Sequence, residues 1–361
     1  MILQTNVKLN FGLNVIRKRP DGYHDIETLF VPCHEFGDTL EVITGDDYSR
    51  TSASLFGRYG GLVDPEGQPA LGDTQPQRSE DGLRRGRTVP PDLGRELAQG
   101  ISEDGKLMIT IAREEGVDWD PLKDLCAKAY YLLDNDFHLP PVKIFLEKKA
   151  PVGAGLGGGS ADAAFTLKAL NDLCALGLSN EKLSEYASKL GSDCAFFVWN
   201  RPMIGTGRGD ILEPFDLDLS GHVVKVLVPE GISVSTGEAY RGIVPRFNQL
   251  NDAVSKGQGC QNRLASLDPT ARSAPLRSGP PSYRAEGGRG FDTLPLGDPC
   301  LISVLRLPIE DWKGRLVNDF ETTVFKAHPE LEAIKQSLYD SGAVYAAMSG
   351  SGSAIFGIYK K

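Results

Sequence analysis

The sequence predicts an α+β protein built from two lobes, and three features of the chain support this. Strand patterns precede helix patterns in the N-terminal half, and strands surround a helix in the last third. Between these regions, a run of glycines joins a predicted strand directly to a predicted helix. At 361 residues, 40% of them hydrophobic, the chain can bury a sizeable core, and its length favours two domains.

Short apolar runs separated by turn residues organise the N-terminal half. The strands predicted there cover 7–16, 26–32, 38–44, 106–113 and 142–148. The first three of these strands are expected to form one antiparallel sheet. Helices are predicted where apolar residues recur at helical spacing, over 122–133, 160–174 and 181–190.

The last third of the chain reads as a separate α+β lobe. It offers a strand over 222–228, a helix over 329–339 with a proline at its start, and strands over 343–347 and 353–359. Ser-Gly-Ser-Gly at 349–352 joins the last two strands and is typical of a tight hairpin turn.

Two stretches, about 48–100 and about 255–300, differ in composition from the rest of the chain. Both are rich in Gly, Pro, Ser and Arg and lack sustained periodicity. Such segments cannot bury enough apolar surface to offset the entropy of ordering them, so we expect mobile surface insertions without a binding role. The predicted domains are 1–204 and 205–361, with one insertion in each.

Charge and composition exclude several classes of function. A net charge of −9 argues against nucleic-acid binding, which depends on Lys and Arg contacts to phosphates. No segment approaches the roughly 20 apolar residues of a membrane span, and the N-terminus lacks the pattern of a signal peptide. The six cysteines form no CxxC pair and no zinc-type cluster, so we expect a cytoplasmic protein without a disulfide framework.

The most informative segment is residues 151–160, Pro-Val-Gly-Ala-Gly-Leu-Gly-Gly-Gly-Ser. Its glycines permit positive φ and leave room for backbone N–H groups to surround an anion, and the helix that follows adds positive potential. The segment therefore predicts a phosphate-binding loop. We call residues 151–160 the glycine loop.

Spacing separates the kinds of phosphate loop. A Walker A loop needs Lys after its last glycine, but Ser160 follows Gly159. A dinucleotide fingerprint needs a parallel strand after the helix, whereas a second helix is predicted here. A loop that wraps a triphosphate remains. Ser160 is expected to start the helix as its N-cap or to bind phosphate or Mg²⁺, and Asp162, in the first turn, is expected to be structural.

Five short motifs, taken in order, resemble the GHMP kinases. They are Lys-Leu-Asn-Phe-Gly-Leu at 8–13, Asp-Gly-Tyr-His at 21–24, the glycine loop, Leu-Gly-Ser-Asp at 190–193 and Ser-Gly-Ser-Gly-Ser at 349–353. The resemblance covers nearly the whole chain outside the two insertions. It implies a ribosomal protein S5 domain 2-like N-terminal domain that carries ATP and a ferredoxin-like C-terminal domain, with the substrate between them.

The reaction that this resemblance implies is transfer of the ATP γ-phosphoryl group, with Mg²⁺, to the tertiary 2-hydroxyl of a cytidyl-methylerythritol diphosphate compound. This is a step of non-mevalonate isoprenoid precursor synthesis. By resemblance, Asp193 accepts the hydroxyl proton, while Lys8 keeps Asp193 ionised and stabilises charge on the γ-phosphate. The residues implied in ATP binding are Pro151, Val152, Gly153, Ala154, Gly155, Leu156, Gly157, Gly158, Gly159, Ser160 and Ala161.

Five further residues are candidates for substrate binding. Asn10 lies on the same face of its strand as Lys8 and could hydrogen-bond the substrate hydroxyl. By resemblance to the family's cytidine pocket, Tyr23 and His24 would stack on and hydrogen-bond a base, with Tyr240 as a second stacking face and Thr236 beside it. Arg208, in a second glycine-rich loop, reaches either phosphate or solvent.

Alternatives remain open. The chain could phosphorylate another small alcohol, such as homoserine or a mevalonate derivative, or it could bind ATP as a sensor without turnover. The insertions could also leave it poorly folded. Asp124 stands where many relatives carry Asn, and it is not expected to touch the chemistry. We expect a small-molecule substrate, no nucleic-acid or membrane partner, and a monomer or a weak homodimer.

Overall fold

The computed structural model describes residues 1–44, 96–246 and 301–361. Expectations for the remaining residues, including most of both proposed insertions, lie outside the described residues. The strands are β1 (Ile2–Gln4), β2 (Val7–Lys18), β3 (His24–Cys33), β4 (Thr39–Thr44), β5 (Glu96–Ile101), β6 (Leu107–Arg113), β7 (Val142–Lys148), β8 (Met203–Thr206), β9 (Ile211–Pro214), β10 (His222–Leu227), β11 (Tyr345–Met348) and β12 (Ile355–Lys360). The α-helices are α1 (Leu125–Phe137), α2 (Gly158–Leu173), α3 (Asn180–Leu190), α4 (Cys194–Trp199), α5 (Thr236–Tyr240), α6 (Leu301–Leu305), α7 (Glu321–Ala327) and α8 (Pro329–Asp340).

A five-stranded sheet and a helical layer form the first part of the N-terminal lobe. Its strand order is β1-β4-β7-β6-β5, and all its pairs are antiparallel except β6 with β7. Buried apolar residues of β4, β6 and β7 pack against α1, α2, α3 and α4 in one core. The α+β prediction is confirmed in this layer of helices on a mixed sheet.

The second sheet carries the first predicted strand and has the order β2-β3-β8-β9. The expectation of one antiparallel sheet from the first three strands is therefore wrong, because β4 joins the five-stranded sheet. A physical reason lies just before β4, where Asp38 is buried in an ion pair with Lys148 at the end of β7. This contact directs β4 toward β7 and away from β3.

The C-terminal lobe is a three-stranded antiparallel sheet, in the order β10-β12-β11, covered by α8, against which α7 packs. The predicted hairpin is confirmed, since β11 and β12 pair up to Met348 and Ile355 around the serine-glycine turn. One core cluster joins this lobe to β2, and in it Phe11 stacks on Phe356 with their ring centroids 4.9 Å apart. The proposed domain boundary at 204/205 falls within β8.

Several element boundaries differ from the sequence predictions for local reasons. Helix α1 begins at Leu125, not at residue 122, because the Asp124 carboxylate accepts from the Cys126 N–H and caps the helix there. Strand β5 lies within the first predicted insertion. Its Gly100 has no side chain to pack, and a Cβ there would lie 2.8 Å from Leu122, so this strand lacks a clear pattern in the sequence.

Ser179 caps α3, because its hydroxyl accepts from the Lys182 N–H. Across the three described ranges, no helix combines the length and apolar character that a bilayer span requires.

Candidate active site

A cavity of about 490 Å³ lies where the glycine loop, β2 and the start of α4 face α5 and the serine-glycine turn. Every residue of the glycine loop lines it, as do Lys8 and Asp193. The predicted phosphate loop and the predicted catalytic pair therefore share one space. That space has the size of a small-molecule site.

In the glycine loop, glycines with positive φ alternate with buried apolar residues. Gly153, Gly155 and Gly157 have φ of +75°, +74° and +75°, while the Ala154 and Leu156 side chains between them are buried in the core. The alternate apolar residues fix the loop to the protein, and the glycines adopt the left-handed region without a steric penalty. The backbone is thereby preformed around the cavity.

Helix α2 begins two residues earlier than predicted. Its N-cap is Gly157, which contributes no side-chain hydrogen bond, so the expectation that Ser160 caps the helix is wrong. Ser160 lies in the first turn and lines the cavity, whereas Asp162 lies beyond that turn. Ala161 does not fit the predicted nucleotide contact, because it is fully buried and its N–H bonds to Gly157 within the helix.

Lys8 and Asp193 meet as predicted. The Lys8 Nζ lies 3.5 Å from Asp193 Oδ2, and the Lys8 side chain is only 4% exposed, which excludes a solvated surface charge. Asp193 precedes α4 but its carboxylate makes no capping bond, so it remains available to the cavity. The pair can supply a proton acceptor and a positive charge at one point.

The ammonium of Lys8 is held by neutral acceptors as well. Nζ donates to the Gly155 carbonyl of the glycine loop at 2.9 Å and to Asn10 Oδ1 at 2.5 Å. Asn10 is 1% exposed and lines the cavity wall, and its Nδ2 donates to Thr28 Oγ1 at 3.0 Å. Lys8 therefore links the glycine loop to the Asp193 carboxylate.

A cluster of three buried charged side chains lies next to the glycine loop. Lys148 Nζ lies 2.6 Å from Asp162 Oδ2 and also bonds Asp38, and all three side chains are buried. Burial raises the pKa of Asp162 well above its ordinary value, because the attraction of Lys148 does not offset it and Asp38 adds repulsion. Lys148 thus shares its ammonium between the two buried carboxyl groups.

Of the candidates for binding a base, two line the same cavity. Tyr240 and Thr236 line it, while His24 stacks on Tyr240 with ring centroids 4.3 Å apart and an interplanar angle of 14°. Burial, and secondarily Lys18, lowers the pKa of His24, so its imidazole is neutral at physiological pH. Burial, and secondarily the Asp193 charge, raises the pKa of Tyr240 to about 12. Both rings are therefore uncharged.

Tyr23 does not line the cavity. It is 58% exposed, and the Arg208 guanidinium lies 5.2 Å from the centre of its ring. Arg208 itself lines the cavity and bonds Asp210, its Nη2 lying 3.1 Å from Oδ2. Arg208, for which the sequence left both phosphate and solvent open, thus lies between the cavity and the exposed Tyr23.

Two residues of the cavity wall were missed by sequence reasoning, Trp119 and Asp124. The Trp119 indole N–H donates to Asp124 Oδ2 at 3.1 Å, and both line the cavity near Leu125, at the start of α1. Asp124 therefore lines the cavity, and that it takes no part in the chemistry stays a prediction. The one available signal was its position as a polar residue before a helix, which by itself predicts only a cap.

Replacing Gly155 with alanine is expected to damage the loop. A Cβ would lie 2.4 Å from the Ser349 carbonyl oxygen and 2.9 Å from that of Gly352, at a φ of +74°. Because both obstacles are backbone atoms, the loop must move away from the serine-glycine turn. We expect Gly155→Ala to lose about 1–3 kcal/mol of unfolding free energy and to bind ATP at least about tenfold more weakly, measured by denaturation and calorimetry.

Gly177→Ala is the matched control. Gly177 also has a positive φ, +67°, but nothing lies within 4 Å of the Cβ that would be added. It tests the cost of backbone strain alone, and ATP affinity should be unchanged. Equal ATP affinity in the two variants would contradict the contact between the loop and the turn.

Oxygen donors in the cavity suit a hard cation. Over the described ranges there is no group of three or more His, Cys, Asp and Glu side chains placed to hold a metal ion. The Ser160 hydroxyl and the Asp193 carboxylate line the cavity as single oxygen donors. This matches Mg²⁺, which binds proteins through few ligands and keeps water and substrate phosphates for the rest.

Comparisons with known proteins place this site in a family. A family model described as the GHMP kinases N terminal domain matches residues 124–201, and one described as GHMP kinases C terminal matches residues 309–361. A Parabacteroides distasonis protein named 4-diphosphocytidyl-2-C-methyl-D-erythritol kinase is 35% identical over 361 residues, which is 100% of this chain and 92% of that protein. A protein of the same name from Azobacteroides pseudotrichonymphae is 34% identical over 100% of this chain and 94% of its own length.

Solved structures agree on the fold. The chain superposes on a crystal structure of 4-(cytidine 5'-diphospho)-2C-methyl-D-erythritol kinase with a TM-score of 0.55 and 23% identity, covering 99% of this chain and 89% of that one. A crystal structure of mevalonate kinase gives a TM-score of 0.51 with 10% identity, covering 100% and 91%. With both family models and full-length relatives in agreement, this chain belongs to the GHMP kinase family.

Proposed function

We propose that this protein is an ATP-dependent kinase that phosphorylates the 2-hydroxyl of 4-diphosphocytidyl-2-C-methyl-D-erythritol. The observation that carries the proposal is the Lys8–Asp193 pair, 3.5 Å apart, beside a preformed glycine loop. The full-length relatives that share this substrate in their names support the choice of alcohol. The reaction belongs to non-mevalonate isoprenoid precursor synthesis.

The chemistry needs an aligned hydroxyl, a proton acceptor and neutralisation of the moving phosphoryl group. The hydroxyl oxygen attacks the γ-phosphorus, the bond to the β-phosphate oxygen breaks, and ADP leaves. The hydroxyl proton passes to the Asp193 carboxylate. The Lys8 ammonium faces the γ-phosphoryl oxygens and stabilises their charge, while its bond to the Gly155 carbonyl keeps it in register with the glycine loop.

Nucleotide phosphates are assigned to the glycine loop from Pro151 to Ser160. Their charge is met by the backbone N–H groups of the loop and by the N-terminus of α2. Ser160 would help to hold Mg²⁺, which would lower the negative charge of the phosphates when bound. Lys148 pairs with both Asp38 and Asp162 beside the loop, which reduces the repulsion between these carboxyl groups and the phosphates.

The cytidine end of the substrate is assigned to the part of the cavity that Thr236 and Tyr240 line. Tyr240 offers a ring face there once His24 moves off it, and the neutral His24 imidazole can both donate to and accept from a base. Thr236 lies beside them, and Tyr23 adds an exposed ring. The side-chain amide of Asn10 has a second N–H, which can donate a hydrogen bond to the oxygen of the substrate hydroxyl. A cytoplasmic location and a monomeric or weakly dimeric state stay predictions from the sequence.

Substrate selectivity tests the proposal. We expect kcat/KM for 4-diphosphocytidyl-2-C-methyl-D-erythritol to exceed that for mevalonate and for homoserine by at least about 10⁴-fold, because only the first substrate has a base for the aromatic end. ADP release in a coupled assay measures this. Comparable values for homoserine or mevalonate would assign a different alcohol, and ATP binding without turnover on all three would indicate a sensor.

A further inference from the structure

The buried hydroxyl of Thr28 can donate one hydrogen bond, and the structure shows its acceptor. Thr28 is fully buried, and its Oγ1 donates to the Gly12 carbonyl at 2.5 Å. This carbonyl is available because Gly12 lies at a bulge in β2, where the register shifts between Phe11 and Leu13. A carbonyl only accepts, so the lone pairs of Thr28 Oγ1 are left to accept from another group.

That group is the side-chain amide of Asn10, 3.0 Å away through its Nδ2. On its other side, Asn10 Oδ1 accepts from Lys8 Nζ, which can only donate. Both neighbours therefore demand the same orientation of the amide, with its oxygen toward Lys8 and its nitrogen toward Thr28. The orientation follows from donor chemistry and does not depend on telling oxygen from nitrogen.

We infer that Thr28 is a positioning residue for phosphoryl transfer, acting on Lys8 through Asn10. This inference rests on the proposed function and deepens it. Without the Thr28 acceptor, the Asn10 amide loses the contact that fixes it and can rotate its NH₂ group toward the Lys8 ammonium. Two donors would then face each other, so Lys8 leaves its place between the Gly155 carbonyl and Asp193. The Thr28 hydroxyl bonds to Gly12 and Asn10, neither of which belongs to the glycine loop, so we expect nucleotide binding to stay intact.

The test compares two variants that differ in the hydroxyl. Thr28→Val keeps the shape and removes the acceptor, and Thr28→Ser keeps the acceptor and removes a methyl group. We expect Thr28→Val to lower kcat about 10- to 100-fold with KM for ATP within about twofold of the wild type, and Thr28→Ser to stay within about threefold. Thr28→Ala, which also lacks the hydroxyl, should match Thr28→Val and serves if the valine variant does not fold.

A double-variant comparison and a spectroscopic readout separate this role from packing. In an Asn10→Leu background, Thr28→Val should cause no further loss of kcat, because the connection is already broken. The ¹⁵N NMR signal of the Lys8 ammonium, assigned by its loss in Lys8→Met, should shift or broaden in Thr28→Val and not in Thr28→Ser.

This signal needs no substrate, so it tests the inference even if the proposed alcohol is wrong. Equal losses of kcat in the valine and serine variants, additive effects with Asn10→Leu, or an unchanged Lys8 signal in Thr28→Val would each overturn it.

Discussion

Replacing Asp193 with asparagine is expected to abolish most turnover while leaving the protein folded and able to bind ATP. The substitution keeps the size of the side chain and removes the only carboxylate paired with Lys8 in the described part of the chain. General-base catalysis contributes about 10²- to 10⁴-fold, so kcat should fall by that factor. The loss should appear in kcat with little change in KM for ATP, measured by steady-state kinetics.

We expect Asp193→Asn to leave the fold intact, so a loss of kcat would not reflect unfolding. Asp193 is 28% exposed and makes no capping bond to α4, so its amide analogue leaves no buried donor unsatisfied. Asp172→Asn, at an exposed position of α2 away from the cavity, is the matched control and should keep wild-type kcat. If Asp193→Asn retained kcat within about twofold of the wild type, Asp193 would have no part in proton transfer.

Replacing Lys148 with methionine is expected to have the largest effect on stability. The lysine is the shared partner of Asp38 and Asp162, and removing it leaves these two buried carboxyl groups without their cation. Burial lowers the pKa of Lys148, but the two carboxylates outweigh this and raise it overall, so the charged form is the native one. Breaking a buried pair by removing one partner costs about 3–5 kcal/mol.

Such a loss is a large part of the total stability of a domain, so Lys148→Met should unfold at a much lower denaturant concentration. Chemical denaturation measures the free energy of unfolding. Asp162→Asn is the control, because an amide imitates the protonated carboxyl that burial favours at this position, and it should cost at most about 1 kcal/mol. If Asp162→Asn proved as harmful as Lys148→Met, Asp162 would have to be ionised in the native protein.

Long periodic segments and the motif residues were predictable from the sequence. Strand β7 and helices α2 and α3 follow apolar periodicity closely, and the glycine loop has a composition that packing alone does not require. The proximity of Lys8 and Asp193 came from resemblance, because no local pattern connects a strand near the N-terminus with the residue before α4. Recognition of the family supplied the contact that periodicity could not.

Other features depend on tertiary contacts that leave no local signal. Strands β8 and β9 have only four residues each, too few for alternation to be read. The cluster of Asp38, Lys148 and Asp162 joins three separate elements, and each residue alone is an ordinary charge. The start of α2 was missed because two helical glycines at its N-terminus read as loop.

The most direct test is the position of the phosphate in the product. Incubated with ATP and 4-diphosphocytidyl-2-C-methyl-D-erythritol, the protein should transfer one phosphoryl group per substrate to the tertiary 2-hydroxyl. The carbon there has no hydrogen, so the new ³¹P phosphomonoester signal in proton-coupled NMR should be a singlet, and the Asp193→Asn sample should lack it. A split signal would place the phosphate on another hydroxyl, and its absence with ATP bound would contradict phosphoryl transfer at the Lys8–Asp193 pair.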